Sequence, residues 1–319
     1  LGVAVAVWAV CAWYSVRLRP DTAFLRHGYE RKIDWLRQLR ASHTNVLLIY
    51  GGSSCGTSIN TRLILEQHGL PVVNLGLGAS LGAKLLTQCA FDYVKAGDTL
   101  LVALEPELFA GADTFEPLGV QFAFAVGRTE WLRERTFTGW ASVLLDLRPG
   151  GQHVAALAGK VAFHQPLLRY ALTEWQPDGW HQVNSRLDFP AVAPFAFRLT
   201  SEGRNLLTSI VEECRRRRAR VAYVLPWSYC TENEAETQKV GAARFLIDVL
   251  EVMPVVKDRR LGVHTIRADF ADTPFHPTSH GAKLRSEELA ESLKTWSLWT
   301  PEELAAICAT RPAAAGRLP

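Results

Sequence analysis

Two short stretches hold the residue types that acyl chemistry needs. The first is Gly51-Gly52-Ser53-Ser54-Cys55-Gly56, directly after the apolar run Val46-Leu47-Leu48-Ile49-Tyr50. Glycines let the chain turn sharply and leave the next hydroxyl uncovered. A helix following the turn aims its free N–H groups at the same spot. Ser53 is then placed to attack a carbonyl, with backbone donors near the oxyanion it creates. Read by itself, the pattern is equally a Gly/Ser turn that caps a helix. No Lys followed by Ser or Thr completes it, so it is not a Walker phosphate loop.

The second stretch is Asp269-Phe270-Ala271-Asp272-Thr273-Pro274-Phe275-His276-Pro277-Thr278-Ser279-His280-Gly281. A serine hydroxyl needs a base, and an Asp and a His a few residues apart form half of a triad. The carboxylate fixes the imidazole tautomer and stabilises its charged form. His276 with Asp272 is the leading pair; Asp269 is a second acid and His280 a rival base. Cys55 is a further candidate nucleophile, but it falls beyond the turn, on the incoming helix. Glu105 and Glu107 follow the third apolar run, as acid/base residues or as caps.

These residues need elements that bring them together. The runs 46–50, 72–75, 99–104 and 221–226 read as buried strands, and 264–266 as a short fifth. Helical spacing occupies 28–41, 57–68, 81–95, 201–214, 232–252 and 281–296, with Gly69 and then Pro71 closing the second. Thr300-Pro301-Glu302-Glu303 starts a terminal helix with a capping Thr, Pro at N1 and Glu at N3. The tail from Arg311 is expected to be mobile. Alternating strands and helices imply a parallel sheet covered on both faces, with ligands outside the carboxyl ends of the strands. From about 108 to 198 the rhythm stops. This stretch carries Phe109, Phe115, Phe122, Phe124, Trp131, Trp140, Trp175 and Trp180. It is too aromatic for a disordered linker. It is either a lid or binding wall over the body or additional core.

With these motifs in order, the chain resembles the SGNH, or GDSL-like, hydrolase superfamily. Gly51-Gly52-Ser53 resembles its first block and Val73-Asn74-Leu75-Gly76-Leu77-Gly78-Ala79 its second. Asp272 through Gly281 resembles its last. The likeness covers roughly 44–107 and 201–296 and is closer to a divergent, membrane-anchored branch acting on cell-surface polysaccharides than to secreted lipases. It implies a flavodoxin-like three-layer α/β sandwich with a central parallel sheet, plus an N-terminal apolar helix. It implies Ser53 as nucleophile, His276 as general base and Asp272 as its orienting acid. Gly52, Asn74, Gly76, Gly78 and Glu107 would line the oxyanion and binding site. Two departures stand out. The family's third block supplies an Asn, whereas here the strand ends Leu104-Glu105-Pro106-Glu107; Asn184 is a speculative substitute. Asp272 and His276 are four apart, where three is usual.

Composition sets outer bounds. The chain has 319 residues, 48% hydrophobic, with Lys+Arg 35 against Asp+Glu 32. That supports a large core and demands no nucleic-acid partner. The basic run Arg215–Arg218 with Arg220 suits the end of a helix, with an anion patch as the alternative. The cysteines at 11, 55, 89, 214, 230 and 308 form no metal-binding pattern, so no metal or cofactor is expected; Cys89 and Cys214 read as core. Residues 1–16 carry no charge and fall slightly short of the ~20 that span a bilayer. They read as a truncated membrane anchor, or alternatively a buried helix, with Trp13, Tyr14, Arg17 and Arg19 as an interfacial edge. The expected organisation is an anchor over 1–20, a linker helix over 21–43, the SGNH-like domain over 44–299 and a terminal helix and tail over 300–319.

The expected activity is that of a serine esterase or O-acyltransferase. Its partner would be an acylated small molecule or polysaccharide of the cell envelope. The protein would be anchored in the membrane through the N-terminal helix and face the periplasm or exterior, with topology open. A non-catalytic binding or assembly subunit of the same fold is the alternative.

Overall fold

The computed structural model describes residues 2–109, 117–130, 137–165, 167, 170–193 and 195–309. Phe115, Trp131 and the tail from Arg311 lie outside them. Strands β1 (Leu47–Gly51), β2 (Val72–Asn74), β3 (Thr99–Ala103) and β4 (Arg220–Tyr223) form a parallel sheet in the order β2-β1-β3-β4. The strand interiors are apolar because both faces are covered, with polar residues such as Asn74, Thr99 and Arg220 confined to strand ends. Leu48, Tyr50, Leu100, Val102 and Tyr223 pack on one face against Leu36, Leu86, Leu207 and Phe245. Their neighbours Ile49, Leu101, Ala103 and Ala222 turn to the other face and meet Cys55, Ile64, Leu289 and Leu293. This two-residue alternation assigns the helices to their sides.

On the first face lie α2 (Pro20–Ser42), α5 (Ala83–Phe91), α9 (Ser201–Arg216) and α10 (Ala235–Leu250). On the second lie α3 (Ser53–Ser58), α4 (Thr61–His68) and α11 (Ser279–Thr295). An N-terminal helix α1 (Gly2–Arg17) precedes α2, and α6 (Pro117–Val126), α7 (Phe137–Asp146) and α8 (Gly151–Ala162) lie in the aromatic insertion. The chain closes with α12 (Pro301–Ala309). There the reciprocal cap forms as read: Glu303 N–H donates to Thr300 Oγ1 at 3.2 Å, and Thr300 N–H to Glu303 Oε2 at 3.2 Å.

Three expectations need correction. The helix expected over 57–68 is two helices, α3 and α4. Asn60 caps the second through Leu63 N–H, and the Asn74 amide takes the Ile59 carbonyl at the break. The helix expected over 81–95 shrinks to α5 after a 3₁₀ turn at Ala79–Leu81, because Gly82 at φ 80° separates them. The short fifth strand expected over 264–266 is Val263–His264 and lies outside the main sheet. Val263–His264 (β6) pairs instead with Ser228–Tyr229 (β5) in a separate two-stranded ribbon. The place next to β4 is taken by Val255, bridged in parallel to Tyr223. Among the described residues, no helix is long and apolar enough to cross a membrane. The linker helix also starts earlier than read, with Pro20 at its first position.

The aromatic insertion divides. Phe109, Phe122, Trp175 and Trp180 are buried and act as core, whereas Trp140 and Phe163 are exposed.

Candidate active site

Ser53 is the first residue of α3, one step beyond the carboxyl end of β1. Gly52 sits at the turn because any side chain there would collide with the Glu105 carboxylate. Glu105 follows β3 and is buried. It accepts hydrogen bonds from Gly52 N–H at 2.9 Å, Ser54 N–H at 3.2 Å and Ser54 Oγ at 2.9 Å. Burial pushes its carboxyl above the usual range, and those hydrogen bonds pull it back. Glu105 is thus a cap for the first turn of α3, supplied by a different strand. Ser53 itself is partly exposed, and its Oγ makes no hydrogen bond among the described residues.

Asn74 terminates β2 and is wholly buried. Its amide nitrogen donates to the carbonyls of Cys55 at 2.9 Å and Ile59 at 2.9 Å, and its Oδ1 accepts from Gly76 N–H at 2.8 Å. It stitches the second loop to α3. Gly76 is required because a Cβ there would strike the Gly56 nitrogen and the Cys55 side chain. The N–H groups of Gly52, Ser54 and Gly76 are therefore spent on Glu105 and Asn74. Those of Ser53 and Gly78 have no protein partner among the described residues.

Asp272 and His276 meet. His276 Nδ1 donates to Asp272 Oδ1 at 2.9 Å, both side chains being nearly inaccessible. The four-residue separation works because 270–277 is a tight hairpin: Ala271 N–H donates to His276 O at 2.8 Å, and Phe270 bridges Pro277. With Nδ1 carrying its proton to a carboxylate, the Nε2 lone pair is left to act as base. The second acid oxygen is also held, since Tyr170 Oη donates to Asp272 Oδ2 at 2.6 Å. Asp269 serves elsewhere. It takes His264 Nε2–H at 2.6 Å and His280 Nδ1–H at 2.8 Å. His280, with 69% of its side chain exposed, is thereby tied to a separate cluster.

The hairpin leads into α11, which packs against α3 and α4, and Asn60 N–H donates to Ser286 Oγ at 2.8 Å. A second link comes through the insertion. His181 N–H donates to Gly56 O in α3, and the His181 ring lies edge-on to Tyr170 at 5.0 Å. Tyr170 in turn lies 6.4 Å from the His276 ring. Burial lowers the His181 pKa, its Glu174 partner opposes this, and the His276 charge adds to the lowering. Asp272 and His276 are thus tied to α3 indirectly, through α11 on one side and through Tyr170 and His181 on the other. No hydrogen bond joins Ser53 Oγ to His276 among the described residues.

Other expected residues fall outside this group. Glu107 is exposed, and Asn184 is exposed with no hydrogen bond tying it to the site among the described residues. A small cavity of about 40 Å³ lies beyond Glu105, walled by Glu107, Phe195, Phe197, Trp227, Gln238 and Phe275 among others. Ser53 and His276 are not among its lining residues. Cys55 is buried, its thiol pushed up to about 12 by that burial, which removes the thiolate that nucleophilic attack requires. Tyr170, Glu174 and His181 went unread because an aromatic stretch without helical or strand period gives no local hint of what it touches. No family model and no curated protein matches this chain.

Proposed function

We propose that the chain is a serine esterase or O-acyltransferase with a divergent SGNH-type site. It would act on acyl groups of a glycan or other cell-envelope component and associate with membrane through its N-terminal helix. The carrying observation is the Asp272–His276 pair, oriented at both acid oxygens, on the hairpin leading into the helix that packs against the Ser53 helix. The strand order β2-β1-β3-β4, continued by Val255, supports the flavodoxin-like sandwich that such a site requires.

In this reading Ser53 Oγ attacks the acyl carbonyl while its proton passes to His276 Nε2. The Ser53 and Gly78 N–H groups receive the oxyanion. Collapse of the tetrahedral intermediate breaks the ester C–O bond, and the imidazolium returns the proton to the departing alcohol. Water then attacks the acyl-enzyme in hydrolysis, or a sugar hydroxyl in transfer, again with His276 as base.

A specific observation favours a second reading, in which the fold binds acylated ligand without turning it over. The family's Asn is replaced by Glu105, an acceptor that consumes two of the N–H groups beside Ser53. Loss of one oxyanion donor costs on the order of 10²–10³ in rate. Hydrolysis of p-nitrophenyl acetate separates the readings. The catalytic one expects turnover that Ser53→Ala abolishes while leaving the unfolding free energy within ~1 kcal/mol of wild type. A folded wild-type chain no faster than Ser53→Ala would support the binding reading.

A further inference from the structure

Helix α8 contains Val154, Ala155, Ala156, Leu157, Ala158 and Val161, yet none of its described side chains is buried. A mostly apolar helix that buries nothing in its own chain has its partner elsewhere. Helix α1 packs Trp8, Ala12 and Val16 against the core but leaves the rest of its apolar surface exposed, its sole buried residue being Ser15. Val3 on α1 is 80% exposed, Val161 on α8 61% and Phe163 just beyond it 76%. On α7, Leu144 and Leu145 are also exposed.

These helices are held side by side. Trp8 Nε1 on α1 donates to the Leu144 carbonyl of α7 at 2.8 Å. The Tyr14 hydroxyl on α1 meets His153 Nε2 at the start of α8 at 3.5 Å. Gly2–Val16, 137–145 and 151–162 contain no Asp or Glu, and their one Lys or Arg is Lys160. Charge collects at the ends instead, with Arg17 and Arg19 after Trp13-Tyr14, Asp146 as the last residue of α7 and Arg148 beyond it. An apolar field bordered by Trp and Tyr and then by Arg has the layering of a membrane interface.

We propose that α1, α7 and α8 form one surface that embeds in the outer layer of a lipid bilayer. The bilayer is favoured over a second copy of the chain by the absence of any acid from the apolar field short of its edge at Asp146, and by the border of Trp and Tyr followed by the charged residues Arg17, Arg19, Asp21, Asp146 and Arg148, which suits a headgroup layer. The insertion thereby shares the membrane face with the N-terminal helix. Tyr170, seven residues beyond Phe163, is already at Asp272, so the bilayer would lie beside the candidate site. The proposal needs neither Ser53 nor His276 to be catalytic.

The test is flotation of the purified full chain with vesicles of phosphatidylcholine and phosphatidylglycerol. Wild type is expected to float. Val154→Glu with Val161→Glu and Phe163→Glu should lower vesicle partitioning roughly tenfold or more, since charge then enters the apolar layer. Val3→Glu with Val7→Glu should do the same. Ile266→Glu, an exposed apolar position outside the field, should change nothing. Flotation of the α8 variant like wild type would overturn the shared surface and leave α1 as a lone anchor. A wild-type chain that stays at the bottom of the gradient would overturn it altogether. Brominated-lipid quenching of tryptophan fluorescence, compared between wild type and Trp140→Phe, decides the matter should the Glu variants misfold. A contribution from Trp140 is expected, and its absence would contradict the proposal.

Discussion

Asp272 has one oxygen on His276 and the other on Tyr170, and that double grip sets the orientation of the imidazole. Asp272→Asn leaves shape intact but no longer dictates the Nδ1–H tautomer. Esterase kcat is expected to fall by about 10³–10⁴. Tyr170→Phe removes a hydroxyl that touches the acid and not the reacting atoms. It is a positioning change, with a loss of roughly tenfold in kcat, little change in KM and a shifted acid limb of the pH–rate profile. An unchanged pH profile would make Tyr170 merely structural. The pairing of Asp272 with His276 was legible because local sequence separation limits what a hairpin can join. The diversion of Asp269 to His264 and His280 was not, because spacing alone offers Asp269 and Asp272 almost equally to the nearby histidines and only the folded turn decides between them.

At the element scale, the first turn of α3 depends on Glu105 from the neighbouring strand. Glu105→Ala would strand two buried N–H donors, at a cost of roughly 2–4 kcal/mol, measurable by urea denaturation. A shift below about 1 kcal/mol would show that water replaces the carboxylate. Glu105 was readable as a residue following the third apolar run, but its capping role depends on β1 and β3 being neighbours, which only the sheet reveals. Helix α2 carries an equally nonlocal feature. Lys32 is fully buried, donates to Gly179 O at 2.6 Å and lies over the Trp175 ring. Burial lowers its pKa to about 7. Below that pH both folded and unfolded states carry the proton, and the cost of the buried ammonium is present in full. Above it the folded state releases the proton while the unfolded chain keeps it, so stability climbs with pH by up to about 1.4 kcal/mol per unit. Denaturation between pH 7 and 8.5 should show that rise in wild type and lose it in Lys32→Met. A flat wild-type profile would contradict the neutral lysine.

At the scale of the whole molecule, the parallel sheet was legible because apolar runs alternating with amphipathic helices have few packing solutions. The place of the fifth strand was not, since Val255-Val256 is as short and apolar as Val263-His264 and only tertiary pairing separates them. The insertion defied the period argument because it divides its labour. Trp175 and Trp180 serve the core, Tyr170 holds the acid, and α7 and α8 turn apolar surface outward. The proposed membrane docking by that outward face and the proposed chemistry at Ser53 are therefore separable by mutation. Vesicle binding should survive Ser53→Ala, and the fold should survive charge at Phe163.

The central claim is that Ser53 is a nucleophile activated by His276. Fluorophosphonate labelling followed by peptide mass spectrometry tests it directly, because the probe reacts with an activated serine whatever the natural acyl group. The account predicts a single adduct on Ser53 in wild type, absent in Ser53→Ala and strongly reduced in His276→Ala. A folded wild-type chain that stays unlabelled, or an adduct on Ser54 that survives Ser53→Ala, would contradict it.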